Sequence, residues 1–338
     1  MKAIQNRSAQ MWQIIGQPRA TTLLERSIET GQLSHAYLFV GPPHVGKSTL
    51  ALGLAQSVNC QASNVPCGEC TPCRRIAEGK HSDVQVISVV TEEGRKVISI
   101  SQVKEMQNAA SLPPFEGRHK VFIFDRAELL SQEAANRLLK TLEEPSPQVL
   151  IILLTSRESD VLPTVVSRCQ RVELRPLPTP LLKETLAERY SIDNQRAELL
   201  ARVSGGCLGW ALLALQDEAL LQARGRRLAT LANLREATII QRVAYAAELA
   251  TQFSKRREEV EEILSLWVRW WHDLLLIRGG NNESITNVDH QAALLQQARE
   301  LSGRQITDFI HRLQEARQAL EQNANSRLVF DNLMLSMP

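Results

Sequence analysis

The sequence predicts an α/β nucleotide-binding domain built on a parallel sheet, followed by two all-helical regions. Three observations lead there. Apolar runs AYLFV (36–40), VQVISVV (84–90), KVFIFD (120–125) and VLIILLT (149–155) are separated by stretches of helical character, the pattern of a parallel sheet covered on both faces. The first run feeds a glycine-bearing phosphate-binding turn, GPPHVGKS (41–48). Beyond Arg171 strand-like runs all but stop, and Leu, Ala, Gln and Arg recur at helical spacing.

Each element has its own reason. Residues 12–34 read as a helical lead-in with a loop, with Leu23, Leu24 and Ile28 on one face. STLALGLAQSV (48–58) has helical periodicity after the turn, and cysteines cluster over 60–73. A helix is expected from Leu129 to Glu144, with Ser131 capping near its start and Pro145 closing it. RPLPTP (175–180) is a hinge candidate, and SGGCLG (204–209) and GGNNES (279–284) interrupt the helical region. The expected division is 1–174 for the nucleotide-binding domain with its four-cysteine insertion (60–73), 175–222 for a small helical lid domain and 223–338 for a helical C-terminal domain.

Composition narrows the function. At about 150 residues per domain, 338 residues allow two or three domains. Hydrophobic residues at 43% and charged residues at 22% are ordinary globular values and exclude wholesale disorder. A net charge of +2 means that any nucleic-acid contact rests on local patches. No apolar run reaches the roughly 18 residues of a membrane span. MKAIQNRSAQMWQIIGQ (1–17) has no continuous apolar core of signal-peptide type. A cytoplasmic chain with no membrane partner is therefore expected, and six cysteines there argue against a disulfide framework.

GPPHVGKS matches G-x-x-x-x-G-K-[ST] between a strand and a helix, the context that this motif needs. Gly41, Pro42, Pro43, His44, Val45 and Gly46 form the loop whose N–H groups can cradle phosphates. Lys47 is expected on the β/γ-phosphates, with Thr49 next to Ser48 in the following turn. Ser48 and Asp125, at the tip of a later strand, are the expected Mg²⁺ ligands. ATPases of this kind usually follow that Asp with a water-polarising Glu; here Arg126 stands there. Glu128 is three residues along, where the chain is expected to have left the strand tip, so only a substitute-base role is open to it. ATP or ADP with Mg²⁺ is expected to bind, and hydrolysis to be compromised.

Cys60, Cys67, Cys70 and Cys73 are spaced C-x6-C-x2-C-x2-C. Four thiolates can enclose one Zn²⁺ tetrahedrally, leaving no open position, so a structural zinc is expected. An iron–sulfur cluster and metal-free thiols are the alternatives. Cys169 and Cys207, distant in sequence, are expected as packed small residues. Trp267, Trp270 and Trp271, with positions 274 and 275, follow helical spacing. That stripe is most simply core or subunit interface; base stacking is the sharper alternative. Lys255, Arg256 and Arg257 read as a solvated face.

Several segments together resemble the bacterial clamp-loader subunits of DNA polymerase III, within the AAA+ ATPases. They are HAYLFVGPPHVGKSTLA (35–51), the cysteine cluster, LLKTLEEP (138–145), the strand ending in Thr155, SRC (167–169) and NANSRLVFDNLMLSM (323–337). The likeness covers essentially the whole chain. It implies a P-loop AAA+ domain, a small helical lid and an all-α collar that joins a ring. Arg168 of SRC is then a catalytic arginine finger acting in trans on ATP held by a neighbour. Thr155 aligns with the polar residue that senses the γ-phosphate, and Ile14, Ile15, Gly16 and Gln17 with the segment along adenine.

The family's motor subunits keep the Glu after the strand Asp and an Arg in the second domain. Aligning SGGCLGWALLAL (204–215) puts Gly209 where that Arg belongs. The resemblance thus implies a rigid member of the ring that lends a finger without firing itself. Its partners would be the gamma/tau and delta subunits, the beta sliding clamp, and primed DNA held by its phosphates. A hydrolytically active gamma/tau-type motor is one alternative. A P-loop small-molecule kinase with a structural zinc is another, but it leaves SRC and the helical C-terminal region unexplained.

Overall fold

A computed structural model describes residue 12, residues 14–92 and residues 95–338. The chain divides into two compact units, one reaching to Pro178 and including Gly206–Trp210, the other formed by Thr179–Gly205 and Ala211–Pro338.

The first unit runs α1 (Pro18–Glu29), β1 (Ala36–Val40), α2 (Lys47–Asn59), α3 (Thr71–Ala77), β2 (Val84–Ile87), β3 (Val90–Glu92), β4 (Arg95–Val97), α4 (Ile100–Ala110), β5 (Lys120–Phe124), α5 (Gln132–Glu143), β6 (Val149–Thr155), α6 (Pro163–Val166) and β7 (Gln170–Glu173). Five strands form one sheet in the order β2-β5-β6-β1-β7, and every pairing in it is parallel. All residues of β1, β5 and β6 are buried, which is why these strands read as unbroken apolar runs.

Alternation along β1 divides the core between the faces of the sheet. Tyr37 and Phe39 join Leu24, Leu50, Leu54 and Ile76 from α1, α2 and α3. Ala36, Leu38 and Val40 join Val103, Met106, Leu138 and Val165 from α4, α5 and α6. Cys207 packs in the first cluster, and Cys169 lies against the second.

The structure departs from the sequence pattern in three places. VQVISVV is not one strand: β2 ends at Ile87, and Val90 starts the antiparallel pair β3–β4. β7 forms an edge of the sheet with only Val172 buried. The helix expected from Leu129 begins at Gln132, where Ser131 accepts the Ala134 N–H, and a single 3₁₀ turn fills Ala127–Leu129.

The second unit is helical throughout its described residues: α7 (Thr179–Tyr190), α8 (Asn194–Val203), most of α9 (Leu208–Gln216), α10 (Glu218–Glu236), α11 (Ile239–Lys255), α12 (Arg257–Arg278), α13 (Gln291–Glu300), α14 (Gly303–Glu321) and α15 (Ser326–Leu335). Its core holds Trp267, Trp270 and Trp271 with Phe309 and Phe330. The three indoles are buried and have no free face for a base. Trp271 lies 4.4 Å from the Phe309 ring, and Trp270 Nε1 donates to Gln297 Oε1 at 3.0 Å. The basic run at the α11–α12 junction is partly neutralised, with Arg256 beside Glu259 and Arg257 beside Glu261.

Two buried polar residues tie the segment between α4 and β5 to the rest of the unit, Asp83 from just before β2 and Asn59 from the end of α2. The Asp83 carboxylate accepts the N–H groups of Phe115, Glu116 and Gly117, each at 2.8 Å. Asn59 Oδ1 accepts those of Arg118 and His119 at 2.8 and 2.9 Å. Burial alone would raise the Asp83 pKa, but the three donors outweigh it and hold it below the usual carboxylate value. Its stabilisation is therefore complete above the ordinary aspartate pKa of about 3.9 and is lost as pH falls through the lower folded value. Asp83→Ala should cost about 3 kcal/mol by denaturant unfolding at neutral pH, with the difference from the parent shrinking under acid.

Candidate nucleotide and metal sites

The phosphate loop starts where β1 ends. Val40 and Thr155 are in register on adjacent strands, and Gly41 N–H donates to Thr155 O at 3.2 Å. A Cβ on Gly41 would sit 2.5 Å from Leu174 O, so only glycine passes this point without a backbone shift. His44 (φ +62°) and Gly46 (φ +110°) are left-handed and wrap the loop into the first turn of α2. Val45 points into the core, Pro42 is half-buried, and Pro43, His44, Ser48 and Thr49 are exposed at the mouth.

Lys47 Nζ donates to two carbonyls of its own loop, Gly41 O at 2.6 Å and Pro42 O at 2.9 Å. Burial holds its pKa below the usual lysine range, partly offset by the carboxylates of Glu128 and Asp125. Asp125 lies one residue past β5, its N–H bonded to Ile87 O at 3.0 Å. The expected phosphate lysine and metal carboxylate are thus neighbours at the C-terminal ends of parallel strands, where α/β sheets bind ligands.

The lead-in segment also reaches the loop. Ile14 is buried, and its Cδ1 lies 3.3 Å from a Cβ placed on Gly46. Ile15 is half-buried beside it. Gln17 clamps the backbone of Arg175, donating from Nε2 to its O and accepting from its N–H. Thr155 is buried, and its hydroxyl bonds to the Arg157 backbone, donating to its O at 2.8 Å and accepting from its N–H at 3.2 Å.

Positions 126 and 209, where the sequence resemblance leads one to expect a Glu and an Arg, each have a distinctive backbone setting. Arg126 is left-handed (φ +64°) and starts the 3₁₀ turn. Gly209 N–H donates to His44 O at 3.0 Å, and a Cβ there would meet that oxygen at 2.8 Å. The position aligned with the motor arginine is therefore packed directly on the phosphate loop and has no room for a side chain.

Arg168 stands away from this loop, just after α6. Its guanidinium donates to Thr164 O at 2.9 Å and Ser167 Oγ at 3.3 Å, and pairs with Glu143 Oε1 at 2.6 Å. Its side chain is 35% exposed, so the group is held at the surface but is accessible.

The four cysteine sulfurs lie within 4.8 Å of one another. Cys60 and Cys70 are 3.9 Å apart, and Cys67 and Cys73 are 4.0 Å apart. A tetrahedron with Zn–S bonds of about 2.3 Å needs sulfurs about 3.8 Å apart. The backbone N–H groups of Cys70 and Glu69 push the Cys67 thiol down to about 6, whereas burial pushes Cys60 and Cys73 up. N–H bonds to Cys60 from Ala62 and to Cys67 from Cys70 suit thiolate sulfur. The donor set fits a structural zinc.

Sequence reasoning missed Asp83 and Asn59, whose partners lie more than 30 positions away, and the inward placement of Glu128.

Comparison with known proteins supplies the family. The family described as "DNA polymerase III, delta subunit" matches residues 16–178, and its C-terminal counterpart matches 218–337. DNA polymerase III subunit delta' of Bacillus subtilis is 30% identical over 95% of this chain and 96% of its own. The tau subunit of Escherichia coli is 31% identical, but over 63% of this chain and 33% of its own. Among solved structures, a gamma subunit-related protein from Thermotoga maritima aligns over 92% of this chain and 97% of its own, at 19% identity and a TM-score of 0.38. With two DNA polymerase III delta-subunit family models matched over most of its length and a delta' relative matched over nearly the full length of both chains, this chain belongs to the DNA polymerase III clamp-loader subunit family and is delta-prime-like.

Proposed function

We propose that this chain is the stator of a replicative clamp loader. It binds ATP or ADP with Mg²⁺ on residues 41–49, turns it over little or not at all on its own, and lends Arg168 to the ATP site of a neighbour. The observation that carries this reading is a contrast. Arg126 and Gly209 occupy the two hydrolysis-supporting positions, and Gly209 lies against His44 O with no space for an arginine, while Arg168 remains accessible on a three-point tether.

The roles are those that the motifs and the family resemblance imply. Loop N–H groups and Lys47 would take phosphate charge once the ammonium leaves the Gly41 and Pro42 carbonyls. Ser48 and Asp125 would hold the metal, Thr155 would face the terminal phosphate, and Ile15 would lie along the base. A planar guanidinium fixed at Arg168 is suited to neutralise charge on a departing phosphoryl group. Zinc on Cys60, Cys67, Cys70 and Cys73 would act as a clip between α2 and α3. The division into a nucleotide-binding domain (1–174), a lid (175–222) and a collar (223–338) belongs to the same reading. So do partnership with gamma/tau and delta subunits, the beta clamp and primed DNA, and a cytoplasmic location. No helix among the described residues is long and apolar enough to cross a membrane.

Two outcomes are expected. Arg168→Ala should leave this chain folded yet slow the DNA- and clamp-stimulated ATPase of the assembled loader by at least about tenfold, the direction expected when a trans-acting finger is lost; an unchanged rate would remove the finger role. Metal analysis of the purified chain should find one zinc per molecule, and chelation or Cys70→Ser should lower the thermal midpoint. Protein purified without chelators and free of zinc contradicts the clip.

A further inference from the structure

The 3₁₀ turn after β5 holds Glu128, one of whose buried carboxylate oxygens receives no hydrogen bond among the described residues. Left-handed Arg126 reverses the backbone immediately after Asp125. The turn is closed by Leu129 N–H to Arg126 O at 2.9 Å and Leu130 N–H to Ala127 O at 3.2 Å. It is pinned from outside by Ile98 N–H to Leu129 O at 2.7 Å and Ser131 N–H to Ile98 O at 3.0 Å. Glu128 therefore does not leave the strand tip, as its sequence position suggests, but stays beside the phosphate loop.

Its carboxylate, like that of Asp125, lies close enough to favour the charged Lys47 ammonium. Yet Lys47 donates to Gly41 O and Pro42 O instead of to Glu128, and Glu128 Oε2 is buried with no hydrogen-bond donor among the described residues. A carboxylate oxygen shielded from water without a donor is costly to maintain. Fixed by backbone on both sides, it suits a site completed by a hydrated cation arriving with its ligand. Magnesium keeps several of its waters when it binds with phosphates, and those waters need acceptors.

We propose that Glu128 is the second carboxylate of the magnesium–nucleotide site, accepting hydrogen bonds from the metal's water shell. Asp125 and Ser48 are the direct ligands, and Glu128 is a positioning residue. The proposal rests on the reading that residues 41–49 take nucleotide. It also bears on the replaced Glu at position 126: an acidic group is retained at the strand tip, for affinity rather than for turnover.

The test separates a carboxylate that serves a metal from one that merely supports the fold. ATP binding to the full chain is titrated with excess Mg²⁺ and with EDTA, for the parent, Glu128→Gln and Lys47→Ala. Glu128→Gln should weaken binding about tenfold with Mg²⁺, as loss of an outer partner to a metal does. With EDTA it should bind as tightly as the parent or a few-fold more tightly, because a like charge beside the phosphates has gone. Equal affinities in both conditions, or equal weakening in both, overturn the proposal. If Lys47→Ala weakens binding while Glu128→Gln matches the parent throughout, only the role of Glu128 falls. If the parent fails to bind ATP, or Lys47→Ala binds it like the parent, the nucleotide reading falls and this proposal with it.

Discussion

The parallel register of the three central strands is the constraint on which the candidate nucleotide site depends. It sets Val40 opposite Thr155 and Phe124 opposite Leu153, so the phosphate loop and Asp125 emerge on either side of β6 at the C-terminal end of the sheet. The loop then has little freedom. Gly41 is bound to Thr155 O and passes within van der Waals reach of Leu174 O. Burial of β1, β5 and β6 on both faces fixes these strand ends in place, which favours a preformed ligand site over one assembled on binding.

On that rigid frame, small backbone changes have large chemical consequences. Arg126 takes a left-handed conformation uncommon for a residue with a side chain, and this redirects the chain so that Glu128 stays beside Lys47. Gly209 allows the start of α9 to approach the loop until its N–H bonds to His44 O. Both replacements alter where backbone lies, beyond exchanging one functional group for another. A side chain at position 209 would first have to displace His44.

The central strands and both sequence-local sites were legible because their signals are local. AYLFV, KVFIF and VLIILLT are continuous apolar runs since neither face of these strands meets water. The phosphate loop and the four cysteines draw their function from neighbours within a few positions. β7 was illegible because an edge strand that buries only Val172 carries almost no apolar pattern. α4 was missed because its apolar face is thin, although Ser99 and Gln102 form a capping box that could have marked its start. Asp83 and Asn59 act on backbone brought near only by the fold. The importance of Glu128 depended on one dihedral angle at Arg126, which no residue pattern announced.

The central claim is that this chain keeps a nucleotide site while leaving hydrolysis to its neighbours. The most direct measurement is ATP turnover by the purified chain alone, beside Lys47→Ala, with bound nucleotide recorded on the same samples. The account predicts nucleotide bound by the parent and lost in Lys47→Ala, with turnover in both at background. Turnover by the parent that Lys47→Ala abolishes would contradict it, and would make this chain a motor in its own right.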